Sequence, residues 1–169
     1  MPQPHEHAVN RNFIESILRY VPGFRGYLEK EYRRESDALQ REWIADRLQR
    51  AKRGLDGMSR ALVDAGNIDP LPRIDRLRGR LDAFLGRVRG AMHGYSGFFD
   101  LVRIREAELE RVYEHDLALT QRVNSLGETI ERLPERQGEL AAGLTQIEEE
   151  LDALHRHWDD REDILKGLK

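Results

Sequence analysis

The sequence predicts an all-α protein: an elongated antiparallel three-helix bundle of coiled-coil character, with a long C-terminal helix extending from it. Three observations predict it. Charged residues make up 35% of the chain, well above the roughly 25% of ordinary globular domains. Apolar residues recur at alternating spacings of three and four over several long stretches, the seam of helices packed along their length. Aromatic residues are only 7%, so each helix offers a narrow apolar stripe and no bulky core.

Taken in order, residues 1–9 read as a disordered leader, residues 10–133 as a helical bundle domain and residues 134–169 as a coiled-coil extension. Asn10 can cap a short first helix, whose apolar face is Phe13, Ile14, Ile17, Leu18 and Val21 and whose end is Pro22-Gly23. A second helix is expected from Gly26 to Ala65, with Gly66 as its stop. Its seam is Ile44, Leu48, Ala51, Leu55, Met58, Leu62 and Ala65. A third, from Pro72 to His93-Gly94, carries Ile74, Leu77, Leu81, Phe84, Val88 and Ala91. The stretch Gly94 to Asp100 is a loop, and its Gly-aromatic-x-Gly-aromatic pattern repeats that of Gly23 to Tyr27. The two are expected to lie together, aromatics packed.

The fourth helix begins between Leu101 and Ala107. Its seam runs from Leu109 through Val112, Asp116, Leu119, Val123, Leu126 and Ile130 to Leu133. The same register continues through Leu140, Leu144, Ile147, Leu151, Leu154 and Trp158, with Arg161 the one charged position after the proline. Pro134 interrupts this run, and a proline inside a helix costs about 3 kcal/mol. Because the phase is unchanged across Pro134, one long bent helix is expected. The alternative is a compact four-helix bundle in which the chain folds back at Pro134. In the extended arrangement nothing inside the chain covers Leu140, Leu144, Ile147, Leu151, Leu154 and Trp158. An uncovered apolar stripe of that length marks an interface, with a second copy in a dimer or with a helical protein partner.

Composition narrows the function classes. The chain has no cysteine, which excludes disulfides, thiolate metal sites and cysteine nucleophiles and suits the cytoplasm. The N-terminal stretch lacks the basic-then-apolar order of a signal peptide, and no apolar run approaches the roughly 18 residues of a membrane span. Net charge is −3, but residues 1–100 hold 18 basic and 14 acidic side chains and residues 101–169 hold 10 and 17. Residues 47–89 are the basic centre, and Arg47, Arg50, Arg53, Arg76, Arg80 and Arg87 are candidate contacts for a polyanion or anionic lipid. No recognition motif or stacking platform accompanies them, so pairing with acids of the fourth helix is the plainer reading.

Asp116 occupies a seam position, where a carboxylate needs a partner. Arg47 or Arg87 could supply it, or the residue could fix register. Asp152, His155 and Asp159 share one helical face and could hold a divalent ion, although a solvated polar face is the simpler account. No nucleophile–base pair, phosphate loop or dinucleotide fingerprint is visible, and no cofactor or metal is expected.

Tyr20-Val-Pro-Gly-Phe-Arg-Gly-Tyr27 and Gly94-Tyr-Ser-Gly-Phe-Phe-Asp100 resemble segments of a family of bacterial all-helical proteins that has no established activity. The resemblance covers residues 18–125 and implies a helical protein with nothing catalytic. The function expected is a non-enzymatic scaffold or adaptor that self-associates or binds a partner through its C-terminal coiled coil. The alternatives are a membrane-surface remodelling protein of the phage-shock protein A type, which also begins with a short amphipathic helix, or a polyanion-binding helical protein.

Overall fold

The computed structural model describes residues 4–91, 98, 101, 104–135 and 138–167. Among them the ordered elements are all helical: α1 (Pro4–Leu18), α2 (Lys30–Asp64), α3 (Leu71–Gly90), α4 (Glu106–Arg132) and α5 (Leu140–Leu165), with a 3-10 turn over Leu133–Glu135. Among the described residues no helix is long and apolar enough to cross a membrane.

The first helix starts earlier than its apolar pattern suggests. Residues 4–9 are helical, not a disordered leader. Proline is tolerated at a helix start because its missing N–H would be unbonded there anyway. Asn10 is a buried residue inside α1 and no cap. The helix ends at Leu18, and a turn follows in which the Tyr20 and Val21 amides donate to the Ile17 carbonyl.

Helices α2 and α3 form a hairpin about the 65–70 turn, with Gly66 at φ 71°. Their opposite directions are fixed by Lys52 on Asp82 and by Arg78 on Asp56. Helix α4 runs alongside α2 in the same direction, since Gln40 reaches Asp116 and Thr120 while Arg47 reaches Asn124 and Glu131.

After α4 the chain folds back, which corrects the expectation of one long helix. Pro134 has no N–H with which to continue the α-helical ladder, and the last turn tightens into the 3-10 segment. Gly138, at φ 84°, then reverses the chain in a conformation that disfavours any side chain. Leu133 seals the turn from inside. Its Cδ1 occupies the space a Cβ on Gly143 would need. Helix α5 therefore descends antiparallel to α4, as Thr129 to Glu150 at one end and Asp116 to Arg161 at the other require. It also lies beside α3.

The result is one continuous apolar core made by α2, α3, α4 and α5 together. Ile44, Leu48 and Leu55 of α2, Leu77, Leu81 and Phe84 of α3, and Val123 and Ile130 of α4 meet Leu144, Ile147, Leu151, Leu154 and Trp158 of α5. A second cluster at one end gathers Ile17, Val21, Phe24, Tyr27, Phe98, Leu109, Val112 and Tyr113. Phe98 thus joins Phe24 and Tyr27 as the repeated pattern suggests, while Gly94 to Gly97, Phe99 and Asp100 lie outside the described residues. Helix α1 packs on α4 through Phe13 and Tyr113, whose rings stack at 6.4 Å. Leu39 of α2 packs against this second cluster, while Leu28 is exposed.

Candidate functional site

The most developed polar constellation lies where the two clusters meet. Asp116 of α4 and Arg161 of α5 are each buried, at 0% and 1% exposure. Arg161 Nε donates to Asp116 Oδ1 at 2.6 Å and Nη2 donates to Asp37 Oδ1 of α2 at 2.7 Å. Asp37 Oδ2 accepts from Arg41 Nε at 2.8 Å. Tyr27 donates its hydroxyl to the other Asp116 oxygen, and its own amide donates to the Tyr113 hydroxyl at 2.7 Å. Gln40 closes the cluster by donating to the Asp116 carbonyl at 3.0 Å and to Thr120 at 3.2 Å.

Charges taken out of water are tolerated only when paired and hydrogen-bonded, and each of these is. Burial disfavours the charge on Arg161, yet Asp116 and Asp37 outweigh it and hold the guanidinium above its ordinary value. Burial, reinforced by the Asp116 charge, pushes the Tyr27 hydroxyl well up, so it stays a donor. Burial likewise pushes Tyr113 up to about 12. The arrangement ties α2, α4 and α5 to the 19–29 segment. Arg33 extends it by donating to the carbonyls of Tyr27 at 2.6 Å, Leu28 at 3.3 Å and Leu101 at 2.6 Å.

Asp116 therefore has a partner, but neither Arg47 nor Arg87 supplies it. Arg47 turns to Asn124 and to Glu131 of α4, at 3.1 and 2.8 Å, and its guanidinium fills the space beside Gly127. Arg87 turns to Asp159 and Glu162 of α5. The true partner, Arg161, was marked in the sequence as a charged seam position.

The proposed partner-binding seam is covered within the chain. Leu144, Ile147, Leu151, Leu154 and Trp158 are 0–1% exposed, and Leu140 packs partly buried against the same core. The uncovered stripe expected from the sequence is thus corrected: α2, α3 and α4 take the place assigned to an outside partner.

The candidate polyanion residues divide. Arg47, Arg80 and Arg87 are ion-paired with Glu131, Asp152 and Asp159, whereas Arg50, Arg53 and Arg76 are exposed. Arg73, Arg80 and Arg87, seven residues apart, form a ladder along the outer edge between α3 and α5. Arg73 grips Glu148 at 2.8 Å through both Nε and Nη2, and its Nη2 also donates to Thr145 at 2.6 Å. That bond raises Arg73 and lowers Glu148 from their ordinary values. Asp152 and Asp159 are thereby engaged by arginines, and His155 packs on Phe84. Among the described residues no group of three or more potential ligands stands ready for a metal ion.

One concave feature faces outward at the end bearing the α2–α3 turn. Asn67, Asp69, Pro70, Arg73, Leu140, Ala141 and Leu144 line a pocket of about 400 Å³. Ile68 and Val63, 62% and 54% exposed, belong to the same end. Sequence reasoning missed this pocket because it exists only once α5 returns beside the turn. No family model, curated protein or solved structure matches this chain.

Proposed function

We propose that the chain is a non-enzymatic helical scaffold or adaptor. In this reading it is a compact up-down-up-down four-helix bundle that offers a fixed outer surface to a helical protein partner. The Asp37–Arg161–Asp116–Tyr27 cluster supports it, since buried groups bonded to one another hold the helices in one register. The cysteine-free composition is in keeping with work in the cytoplasm.

The observation that carries the reading is the pocket between the α2–α3 turn and the start of α5, at an end that also exposes Ile68 and Val63. Concave apolar sites with exposed aliphatic neighbours are where an anchoring side chain of a partner gains most. The contact surface therefore moves from the C-terminal seam to this end. Self-association through the seam would require α5 to leave the core it completes.

Site-specific photo-crosslinking in the source cells tests the proposal. A crosslinker at Ile68 is expected to capture one defined protein, and a crosslinker at the exposed Ala83 on α3 is expected to capture little. Equal yields from both positions, or no adduct at Ile68, would refute it.

A further inference from the structure

Helix α5 carries a histidine toward each neighbouring helix, on either side of the seam that Trp158 fills. His155 faces α3. Its ring meets the Phe84 ring edge-on at 4.9 Å, and its Nδ1 lies 3.4 Å from Arg87 Nη1. A guanidinium only donates, so Nδ1 accepts and the imidazole is neutral. Arg80 adds a second positive charge from α3. The carboxylates nearby are Asp152 and Asp159, which are bonded to Arg80 and Arg87, and Glu162, 3.5 Å from Arg87.

His157 faces α4. Its ring stacks on that of His115 at 4.8 Å, the planes 21° apart. Its Nε2 donates to the His115 carbonyl at 2.9 Å, while His115 Nδ1 lies 3.2 Å from the Arg111 carbonyl. Arg122 is the further positive charge on this side. Asp116 is the opposing carboxylate, already taken by Arg161 and Tyr27. From α2, Asp37 reaches α5 at Arg161.

We propose that α5 is a proton-operated latch, in which protonation of His155 and His157 in mildly acidic solution sets like charges across the α3–α5 and α4–α5 contacts and loosens α5 from the other helices. Protonated His155 loses its bond from Arg87 and faces two arginines. Protonated His157 stacks on the His115 ring and faces the positive charge of Arg122. Release uncovers Ile147, Leu151, Leu154 and Trp158, so a seam that is closed at neutral pH becomes available to another helix.

The sign follows from the surroundings. Burial, with Arg87 and Arg80 for His155 and with His115 and Arg122 for His157, holds both histidines below their ordinary value. The released state therefore takes up protons first. The stabilising contribution is complete above about pH 6.5, the value of a free histidine, begins to be lost below it, and is gone once pH falls through the lower value of the closed state.

Hydrogen exchange of the full chain at pH 7.5 and 5.5, corrected for the intrinsic pH dependence of exchange, tests the latch. The opening constant of α5 is expected to rise by up to about tenfold per histidine at pH 5.5, with α2 amides between Ile44 and Leu55 changing much less. In the double variant His155→Gln, His157→Gln the extra response of α5 should vanish. His115→Gln, which leaves α5 intact and removes the stacked ring, should reduce it. If α5 opens no more than α2 on acidification, or if the double variant keeps the full response, the latch is wrong.

Discussion

Asp116 shows how one side chain fixes a fold. With no exposure it accepts from Arg161 and Tyr27 at once. Removing one member of a buried ion pair costs about 3–5 kcal/mol when the other is left unpaired, and here Arg161 keeps its bond to Asp37. Asp116→Asn is therefore expected to lower the urea unfolding free energy by about 3 kcal/mol. The double variant Asp116→Asn, Arg161→Gln should cost less than the sum of the two single changes, because the bond they share is lost only once. Additive losses would mean that the two residues act separately. Gly143 makes the complementary case from packing. Leu133 Cδ1 already fills the space its Cβ would take, so Gly143→Ala should cost about 1–3 kcal/mol by overpacking, offset by about 1 kcal/mol of helix propensity, a net loss of up to about 2 kcal/mol read in the same unfolding experiment. No net loss, or a gain, would show that Leu133 can move aside.

Helices α3 and α5 are joined less extensively by backbone approach than α2 and α3 or α4 and α5, and their edge is closed by the Arg73, Arg80 and Arg87 ladder. Each of those arginines is 28–35% exposed, and such pairs contribute at most about 1 kcal/mol apiece before screening. Replacing all three with glutamine is expected to lower stability by about 1–3 kcal/mol at low salt and by distinctly less at 1 M salt. A loss independent of salt, followed by denaturant titration, would place the contribution in packing of the arginine stems. The elements before Pro134 were largely legible: the seam residues of α2, α3 and α4 are found buried, apart from Leu62 and Ala91, which are half-buried, and Ala65, which is exposed past the end of α2, because a heptad pattern reports a local face. The return of α5 was not, because the register of a hairpin's second arm is free of the first, and an unbroken heptad phase across Pro134 fits either course. Asp116 and Arg161 held the missing signal. Two opposite charges, each at an otherwise apolar seam position, pair if α5 comes back along α4 and cannot pair if it runs on.

For the molecule as a whole, the returning helix decides what the surface offers. With α5 in place the C-terminal seam belongs to the interior, and the pocket by Pro70 and Leu140 is the surface on which the proposed partner contact rests. In the proposed latch, acid release of α5 turns this seam outward. The fold-back itself is tested by the distance between spin labels introduced as Arg122→Cys and Arg156→Cys, two exposed positions in a chain otherwise without cysteine. Neighbouring antiparallel helices place those backbones about 10–15 Å apart, allowing for axial offset. One continuous helix would place them about 50 Å apart at 1.5 Å per residue. Pulsed electron resonance at neutral pH is expected to give a single short distance, within about 30 Å once label length is added. A population centred near 50 Å would contradict the account.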